Sequence, residues 1–227
     1  QRCSTGFRYL NIYPQPCPRL VTLELHSGEI MKILIVGANG LLGSGAVAAL
    51  SEGNEIIQAS RSGDVSVDLT DPNSIAAMYE KVGKVDAVIA ATGVVPFKTL
   101  TELTLADYHA GINDKVLGQV ELVRQGLEYV TDGGSFTLTT GITERAPIPT
   151  GAVASLANGA LESFVLAAAT EMPRGMRINV VSPSVLVEAT GYHPYFIGFE
   201  QVTLKACGKA YAKSVNGKKN GHTYKVG

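Results

Sequence analysis

Three glycines at three-residue intervals, Gly37, Gly40 and Gly43, follow a short apolar run at Ile33–Val36 and precede a helical pattern. Glycine lets a chain turn sharply out of a strand, and it lets the backbone approach a pyrophosphate. Free N–H groups at a helix N-terminus stabilise the charge of that pyrophosphate. The spacing G-x-x-G-x-x-G is one residue away from the usual dinucleotide-binding fingerprint, and glycine loops also form ordinary turns. Because a strand precedes the loop and a helix follows it, the segment predicts a nucleotide site with loop contacts at Gly37, Asn39, Gly40, Leu41, Leu42 and Gly43.

The second predicted strand, Ile56–Ser60, is followed directly by Arg61 and Ser62. Proteins that bind NAD usually carry Asp or Glu at this place, where the carboxylate holds the ribose 2′-OH. A carboxylate would repel a 2′-phosphate, whereas hydroxyls and a planar guanidinium bind one through charge-assisted hydrogen bonds. The pattern therefore predicts NADP(H) as the cofactor, with Ser60, Arg61 and Ser62 at its 2′-phosphate. The alternative is that Arg61 is an ordinary solvated residue after a strand.

Alternating strand and helix patterns must position these loops. The predicted strands are 33–36, 56–60, 65–69, 85–90, 135–139, 177–182 and 223–226, and the predicted helices after the first are 74–81, 108–129, 153–171 and 202–214. The segment Asp132–Gly134 separates the second of these helices from the next strand. Near-continuous apolar strands that alternate with helices indicate a parallel sheet covered on both faces. We therefore expect a single α/β domain with a three-layer, Rossmann-like, doubly wound sheet.

Composition excludes several classes of protein. The chain has 227 residues, of which 45% are hydrophobic and 17% charged, with a net charge of −1. This length suits one α/β domain, and the charge gives no reason to expect nucleic acid or an anionic membrane as a partner. No apolar run approaches the roughly 20 residues that span a bilayer. The three cysteines form no C-x-x-C pair, so no metal or disulfide framework is expected and a reducing, cytoplasmic setting fits best.

Residues 1–30 differ from the rest of the chain. They hold three prolines and no acidic residue before Glu24, whereas Met31 stands one residue before the first predicted strand. We interpret 1–30 as an N-terminal arm of cloning or upstream origin, or as a targeting segment, although it lacks the clear amphipathic helix of a transit peptide. Val21–Leu25 is a candidate edge strand. The domain proper is expected to run from 31 to 227.

Together with the glycine loop, several landmarks resemble the short-chain dehydrogenase/reductase family from Met31 to Gly227. The segment Arg177–Pro183 is very similar to the family's R-x-N-x-[IV]-x-P pattern. The resemblance implies that Asp68 and Leu69 meet the adenine and that Ala91, Thr92 and Gly93 support the sheet beside the cofactor. It further implies cofactor contacts at Pro183 and Val185 and a proton-relay role for Asn113.

The family's chemistry rests on Ser, Tyr and Lys, with Tyr and Lys four residues apart on one helix. Counting along this chain places Thr140 at the Ser position, Val153 at the Tyr position and Ala157 at the Lys position. Thr140 retains a hydroxyl, but Val153 and Ala157 have neither a proton nor a charge to donate. The resemblance therefore implies an atypical active site in which Thr140 and Asn113 are the catalytic residues that remain.

Residues 187–201 correspond to a substrate lid that is short for the family. The segment carries Tyr192, His193, Tyr195 and Phe196, which either line a pocket or pack against the domain. Histidine is the residue type among these whose ordinary pKa lies near neutral pH, which makes His193 a candidate acid. The alternative, which we favour, is a surface or packing role for His193.

Three functions are consistent with the sequence. The first is an NADPH-dependent reductase of a small carbonyl or other activated acceptor, with a proton from water, Thr140, Tyr192 or His193. The second is a module that binds NADP(H) without turnover and responds to redox state. The third is a subunit whose partner carries the chemistry. No residue pattern selects the substrate.

The helices at 108–129 and 153–171 correspond to the pair that forms a four-helix interface in family dimers and tetramers. The second helix carries small residues on successive turns, which permit close approach of another helix: Ala154, Ala157, Ala160 and Ala168. We therefore expect a homodimer or homotetramer. The alternative is that these residues pack against the sheet of their own chain.

Overall fold

Seven parallel strands form one sheet, in the order β3-β2-β1-β4-β5-β6-β7, in the computed structural model, which describes residues 30–227. The strands are β1 Lys32–Val36, β2 Glu55–Ser60, β3 Val65–Ser66, β4 Val85–Ala90, β5 Val130–Thr139, β6 Arg177–Pro183 and β7 Thr223–Val226. The helices are α1 Leu41–Leu50, α2 Pro72–Val82, α3 Leu105–Gly111, α4 Gly118–Gly126, α5 Ala152–Ala168 and α6 Leu204–Asn216. The doubly wound α/β fold is confirmed, whereas the candidate strand at 21–25 lies outside the described residues.

The strands are apolar on both faces because helices cover both faces of the sheet. In β1, Leu34 belongs to a buried cluster that includes side chains of α2, α4 and α5. Its neighbour Ile35 belongs to the opposite cluster, which includes side chains of α1 and α6. Successive strand residues point to opposite faces, so a continuous apolar run is buried only in the middle layer of three.

β5 begins earlier than predicted. Val85 of β4 pairs with Val130, but Ala87 pairs with Ser135, so the register shifts between the two pairs. The glycine-rich segment 131–134 is therefore a bulge inside β5 rather than a break before it. The predicted strand start at 135 was wrong because turn-forming residues also mark bulges.

The predicted helix 108–129 begins at Leu105 and is interrupted by a π-helical turn. Thr104 caps the helix through a reciprocal pair: its Oγ1 accepts from the Asp107 N–H, and the Asp107 carboxylate accepts from the Thr104 N–H. The π-helical turn spans Ile112–Leu117, between α3 and α4. A π turn contains more residues than an α turn, so it changes which side chains face the sheet.

β3 is shorter than the predicted 65–69. It ends at Ser66, and the Asp68 N–H donates to Ser74 Oγ in the first turn of α2 instead of joining a strand. Asp71 caps the same helix by accepting from the Asn73 N–H. No helix within residues 30–227 is long and apolar enough to cross a membrane.

Candidate cofactor groove and active-site cavity

The glycine loop joins β1 to α1 at the carboxyl edge of the sheet, where the strand order reverses between β1 and β4. Gly37 has φ +82°, and a Cβ there would lie 2.6 Å from the Ala91 carbonyl oxygen. A Cβ on Gly43 would overlap the Gly37 carbonyl oxygen. Among the described residues no side chain caps α1, so the N–H groups of its first turn are available to an anion. The loop therefore has the close backbone packing and the free N–H groups that binding of a phosphate would require.

A cavity of about 400 Å³ lies beside the loop, at the ends of β1 and β2. Asn39 Nδ2 donates to Ser60 Oγ at 2.9 Å and so joins the loop to the end of β2. Arg61 and Ser62 are exposed at the cavity wall. Two hydrogen bonds from Thr70 lower the pKa of Asp68, and the Arg61 charge lowers it further. This cavity offers a guanidinium and hydroxyls at the place where a ribose 2′-phosphate is expected.

A second cavity, of about 530 Å³, lies at the ends of β4, β5 and β6, and we call it the active-site cavity. The two cavities share Gly40, Ala91, Thr92 and Val94, so they are adjacent parts of one groove. Nearly all of the predicted site residues line one cavity or the other: Gly37, Asn39, Gly40, Leu41, Leu42, Ser60, Arg61, Ser62, Asp68, Leu69, Ala91, Thr92, Gly93, Thr140, Pro183 and Val185. The groove thus extends from the end of β2, past the glycine loop, to the ends of β4, β5 and β6.

Two predicted site residues line neither cavity. Gly43 is buried behind the loop, where its lack of a side chain lets α1 pack against Gly37. Asn113 is exposed and lies in the π-helical turn. The residue of that turn that lines the active-site cavity is Lys115. The structure therefore does not bring Asn113 to Thr140.

Thr140 lies at the end of β5 and is only 4% exposed. Its hydroxyl donates to Glu162 Oε1 at 3.0 Å, and Glu162 Oε2 accepts from the Thr223 hydroxyl at 3.3 Å. Because the Thr140 proton is directed to a carboxylate of α5, it is not directed at a molecule in the cavity.

The α5 positions expected to replace Tyr and Lys are also away from the active-site cavity. Val153 and Ala157 are fully buried in the core, and neither lines a cavity. The α5 residue that lines the active-site cavity is Asn158. Its Nδ2 donates to the Gly141 carbonyl and to Thr143 Oγ1, whereas its buried Oδ1 has no hydrogen-bond partner in the part of the chain that the structure describes. The α5 residue that reaches the cavity is therefore one position later in the chain than expected. The helix α5 contains neither Tyr nor Lys.

Lys115 was not among the predicted site residues. Among residues 30–227 it is the only charged residue that lines the active-site cavity. A Cβ on Gly93 would lie 2.7 Å from Lys115 Cγ, so the lysine stem packs directly on the backbone of that loop. Burial lowers the pKa of Lys115 to about 8, and the charges of Asp114 and Glu144 act in the opposite direction. In a helical sequence pattern, a single lysine is usually interpreted as a solvent-facing side chain. The sequence therefore provided no signal for Lys115, and its place at the cavity is seen only from the packing.

The lid contains a 3₁₀ helix at Thr190–Tyr195. Tyr192 lines the active-site cavity and packs edge-on against Phe97, with ring centroids 5.9 Å apart. His193 does not line the cavity, and its Nε2 is 2.9 Å from the Leu186 carbonyl oxygen. Of the two lid residues proposed as proton donors, the structure brings only Tyr192 to the cavity.

The residues present fit a nicotinamide dinucleotide. The uncapped α1 N-terminus suits the pyrophosphate, and the cavity with Ser60 and Arg61 suits the adenosine end. The groove continues from there into the active-site cavity, where a nicotinamide ring would meet an acceptor. Within residues 30–227, no group of three or more His, Cys, Asp or Glu side chains is placed to hold a metal ion.

A doubly wound sheet with a glycine loop at its switch point is typical of dinucleotide-binding proteins. Residues 31–214 match the family described as enoyl-(acyl carrier protein) reductase. The chain therefore belongs to the short-chain dehydrogenase/reductase family. The protein lin1944 from Listeria innocua is 48% identical, with a TM-score of 0.85 over 87% of this chain and 100% of that one. A small-chain dehydrogenase solved in complex with NADPH is 21% identical, with a TM-score of 0.79 over 87% and 97% of the chains, and shares the fold.

The curated relatives match over shorter segments. An uncharacterised oxidoreductase of Methylorubrum extorquens is 30% identical over 125 residues, which are 55% of this chain and 50% of that protein. Hydroxynaphthalene reductase arp2 of Aspergillus fumigatus is 26% identical over 125 residues, or 53% and 46% of the two proteins. The chain thus spans about half the length of the curated relatives it matches.

Proposed function

We propose that this protein binds NADP(H) and reduces a small carbonyl or other activated acceptor with a non-standard proton donor. The observation that carries the proposal is one groove that runs from Ser60 and Arg61, past the glycine loop, into the active-site cavity. Bound NADPH would supply the hydride, and the protein would supply binding, orientation and electrostatics. Similar proteins support this proposal: a structural neighbour was solved in complex with NADPH, and hydroxynaphthalene reductase and versicolorin reductase are among the curated relatives.

A second candidate function is a redox-responsive module that binds NADP(H) without turnover. The specific observation in its favour is that α5 contains neither Tyr nor Lys and presents Asn158 to the cavity instead. The groove and its adenosine end are the same in both functions, so cofactor binding is common to them.

The test is a titration of the full chain with NADPH and with NADH, followed by nucleotide fluorescence and thermal shift. The same samples are then assayed with activated aldehydes, diketones, quinones and hydroxynaphthalenes. We expect tighter binding of NADPH than of NADH, together with oxidation of NADPH by at least one acceptor. Tight binding without turnover would instead support the redox module. If neither nucleotide binds, both functions are wrong.

A further inference from the structure

Three hydroxyls that line the active-site cavity already donate to other groups of the protein. The hydroxyl of Thr139 donates to the Ala90 carbonyl, and that of Thr140 donates to Glu162. The hydroxyl of Ser184 donates to the Glu200 carbonyl. These three protons are therefore directed to the protein itself. The titratable residues that line the cavity are Lys115 and Tyr192.

Lys115 reaches the cavity from an element that seldom occurs in folded proteins. It lies in the π-helical turn at 112–117, a kind of turn that often marks functional positions. Its stem packs on Gly93, whose φ of +129° is a conformation that favours glycine. Within the described residues, no hydrogen bond or ion pair fixes the Lys115 ammonium. The backbone around the lysine is thus specialised, while its ammonium remains available to a molecule in the cavity.

We propose that Lys115 is the catalytic acid that protonates the carbonyl oxygen of the acceptor, and that the acceptor has an apolar or aromatic body. This inference rests on the proposed reductase function. The carbonyl carbon gains a hydride from NADPH, which is oxidised to NADP⁺, and the π electron pair of the carbonyl moves to oxygen. That oxygen takes a proton from Lys115 Nζ and becomes the hydroxyl of an alcohol. The neutral amine then regains a proton from water.

The surroundings of Lys115 favour this chemistry. Burial lowers its pKa to about 8, so the side chain is protonated at neutral pH and yet more acidic than a surface lysine. The charged groups that face it are Asp114, on the same turn, and Glu144, on the loop after β5. Tyr192 lies on the lid that closes the same cavity. The aromatic rings of Phe97, Tyr192 and Phe196 provide an apolar wall for the body of the acceptor.

The test compares Lys115→Met, Lys115→Arg and Tyr192→Phe with the wild type. Methionine preserves most of the stem that packs on Gly93, and arginine preserves the charge but does not release a proton near neutral pH. We expect both Lys115 variants to lower kcat/KM by about 10²–10⁴-fold, the usual contribution of a general acid. The wild-type kcat/KM should fall as the pH rises through about 8, and this limb of the profile should be absent in Lys115→Met. The matched control is Lys209→Met, at an exposed lysine of α6, and it should keep wild-type kinetics.

Two further measurements do not depend on turnover. The NADPH dissociation constant of Lys115→Met should stay within about threefold of the wild type, because the proposed role is toward the acceptor. Carbon-13 NMR of reductively methylated protein, with Lys115→Arg to assign the signal, should show one lysine titrating near 8. Absence of such a signal would overturn the proposal even if Lys115→Met does not fold.

The outcomes separate this inference from the proposed function. If NADPH does not bind the wild type, the proposed function is wrong. If NADPH binds and is oxidised but Lys115→Met keeps the rate and the pH limb, the role of Lys115 is wrong and the reductase function stands. If Lys115→Arg recovers activity, Lys115 acts as a stabilising charge rather than as an acid. If the pH limb is lost only in Tyr192→Phe, the proton donor is Tyr192 of the lid. If the wild type binds NADPH but reduces no acceptor, the proposed acid role of Lys115 is overturned and the redox-responsive module remains as the function.

Discussion

Arg61 is the residue on which the choice between NADP(H) and NAD(H) depends. It is exposed at the wall of the adenosine-side cavity, and Ser60 beside it is joined to the glycine loop through Asn39. A guanidinium in this position binds a 2′-phosphate through charge-assisted hydrogen bonds, which a neutral 2′-hydroxyl cannot form.

We expect Arg61→Ala to weaken NADPH binding by about 10- to 100-fold, as for the loss of a hydrogen bond to a charged group. NADH binding should change by less than threefold. The measurement is the dissociation constant of each nucleotide by fluorescence, with the exposed Arg124→Ala as control. An equal loss for both nucleotides would contradict the assignment.

Packing against the glycine loop leaves no room for a side chain at Gly43. A Cβ at this position would overlap the Gly37 carbonyl oxygen, so Gly43→Ala must displace the loop or the start of α1. We expect a lower melting temperature together with weaker binding of both NADPH and NADH. Gly159→Ala in α5 is the contrasting variant, because a Cβ there meets no atom within 4 Å. It should raise stability by about 0.5–1 kcal/mol, since glycine is costly inside a helix.

At the scale of elements, the helical segment from Leu105 to Gly126 determines what the cavity contains. Its start depends on the reciprocal cap between Thr104 and Asp107, and its middle is the π-helical turn that carries Lys115. Lys98 also donates to Asp107 Oδ1, at 2.6 Å, which joins the preceding loop to the cap.

The cap makes stability depend on pH in the acid range. The hydrogen bond from Lys98 and those from Thr104 lower the pKa of Asp107 from 3.8 to about 2. The native state therefore binds this proton less readily than the unfolded state, and the stabilisation is present above pH 3.8 and lost as the pH falls toward 2. We expect Asp107→Asn to lower the unfolding free energy at pH 7 and to lessen its change between pH 4 and 2. Urea unfolding measures both, and Glu52→Gln, at an exposed carboxylate, should leave both unchanged.

At the scale of the whole molecule, large apolar side chains remain exposed on α3, the π-helical turn and α5. Leu105 is 70% exposed, Leu117 52% and Leu166 61%. These are the elements that the family resemblance places in a dimer interface, and exposed apolar side chains in such elements are consistent with an interaction site. The predicted homo-oligomer gives these side chains a place to be buried.

Light scattering should therefore report the mass of a dimer or a tetramer of the 23.9 kDa chain. Leu166→Glu would place a charge in the interface and should shift the protein toward the monomer. A monomer mass for the wild type at micromolar concentration would contradict the prediction, and the exposed leucines would then need another partner.

The groove was largely predictable because its contacts belong to loops directly after strands. In a parallel sheet the carboxyl ends of the strands meet at one edge, so Gly37, Ser60 and Thr92 are brought together by topology alone. The cavity wall that comes from helices was not predictable to the same degree. A shift of one residue turns a side chain by about 100° around a helix, and sequence patterns do not resolve such a shift.

The sequence by itself determined the alternation of strands and helices, the glycine loop between β1 and α1 and the basic residue that follows β2, because each depends on local residue types. Only the tertiary structure decided that Lys115 rather than Asn113, and Asn158 rather than Ala157, line the active-site cavity. The π-helical turn and the packing of α5 against its neighbours set those rotations, and both depend on contacts between residues far apart in the chain.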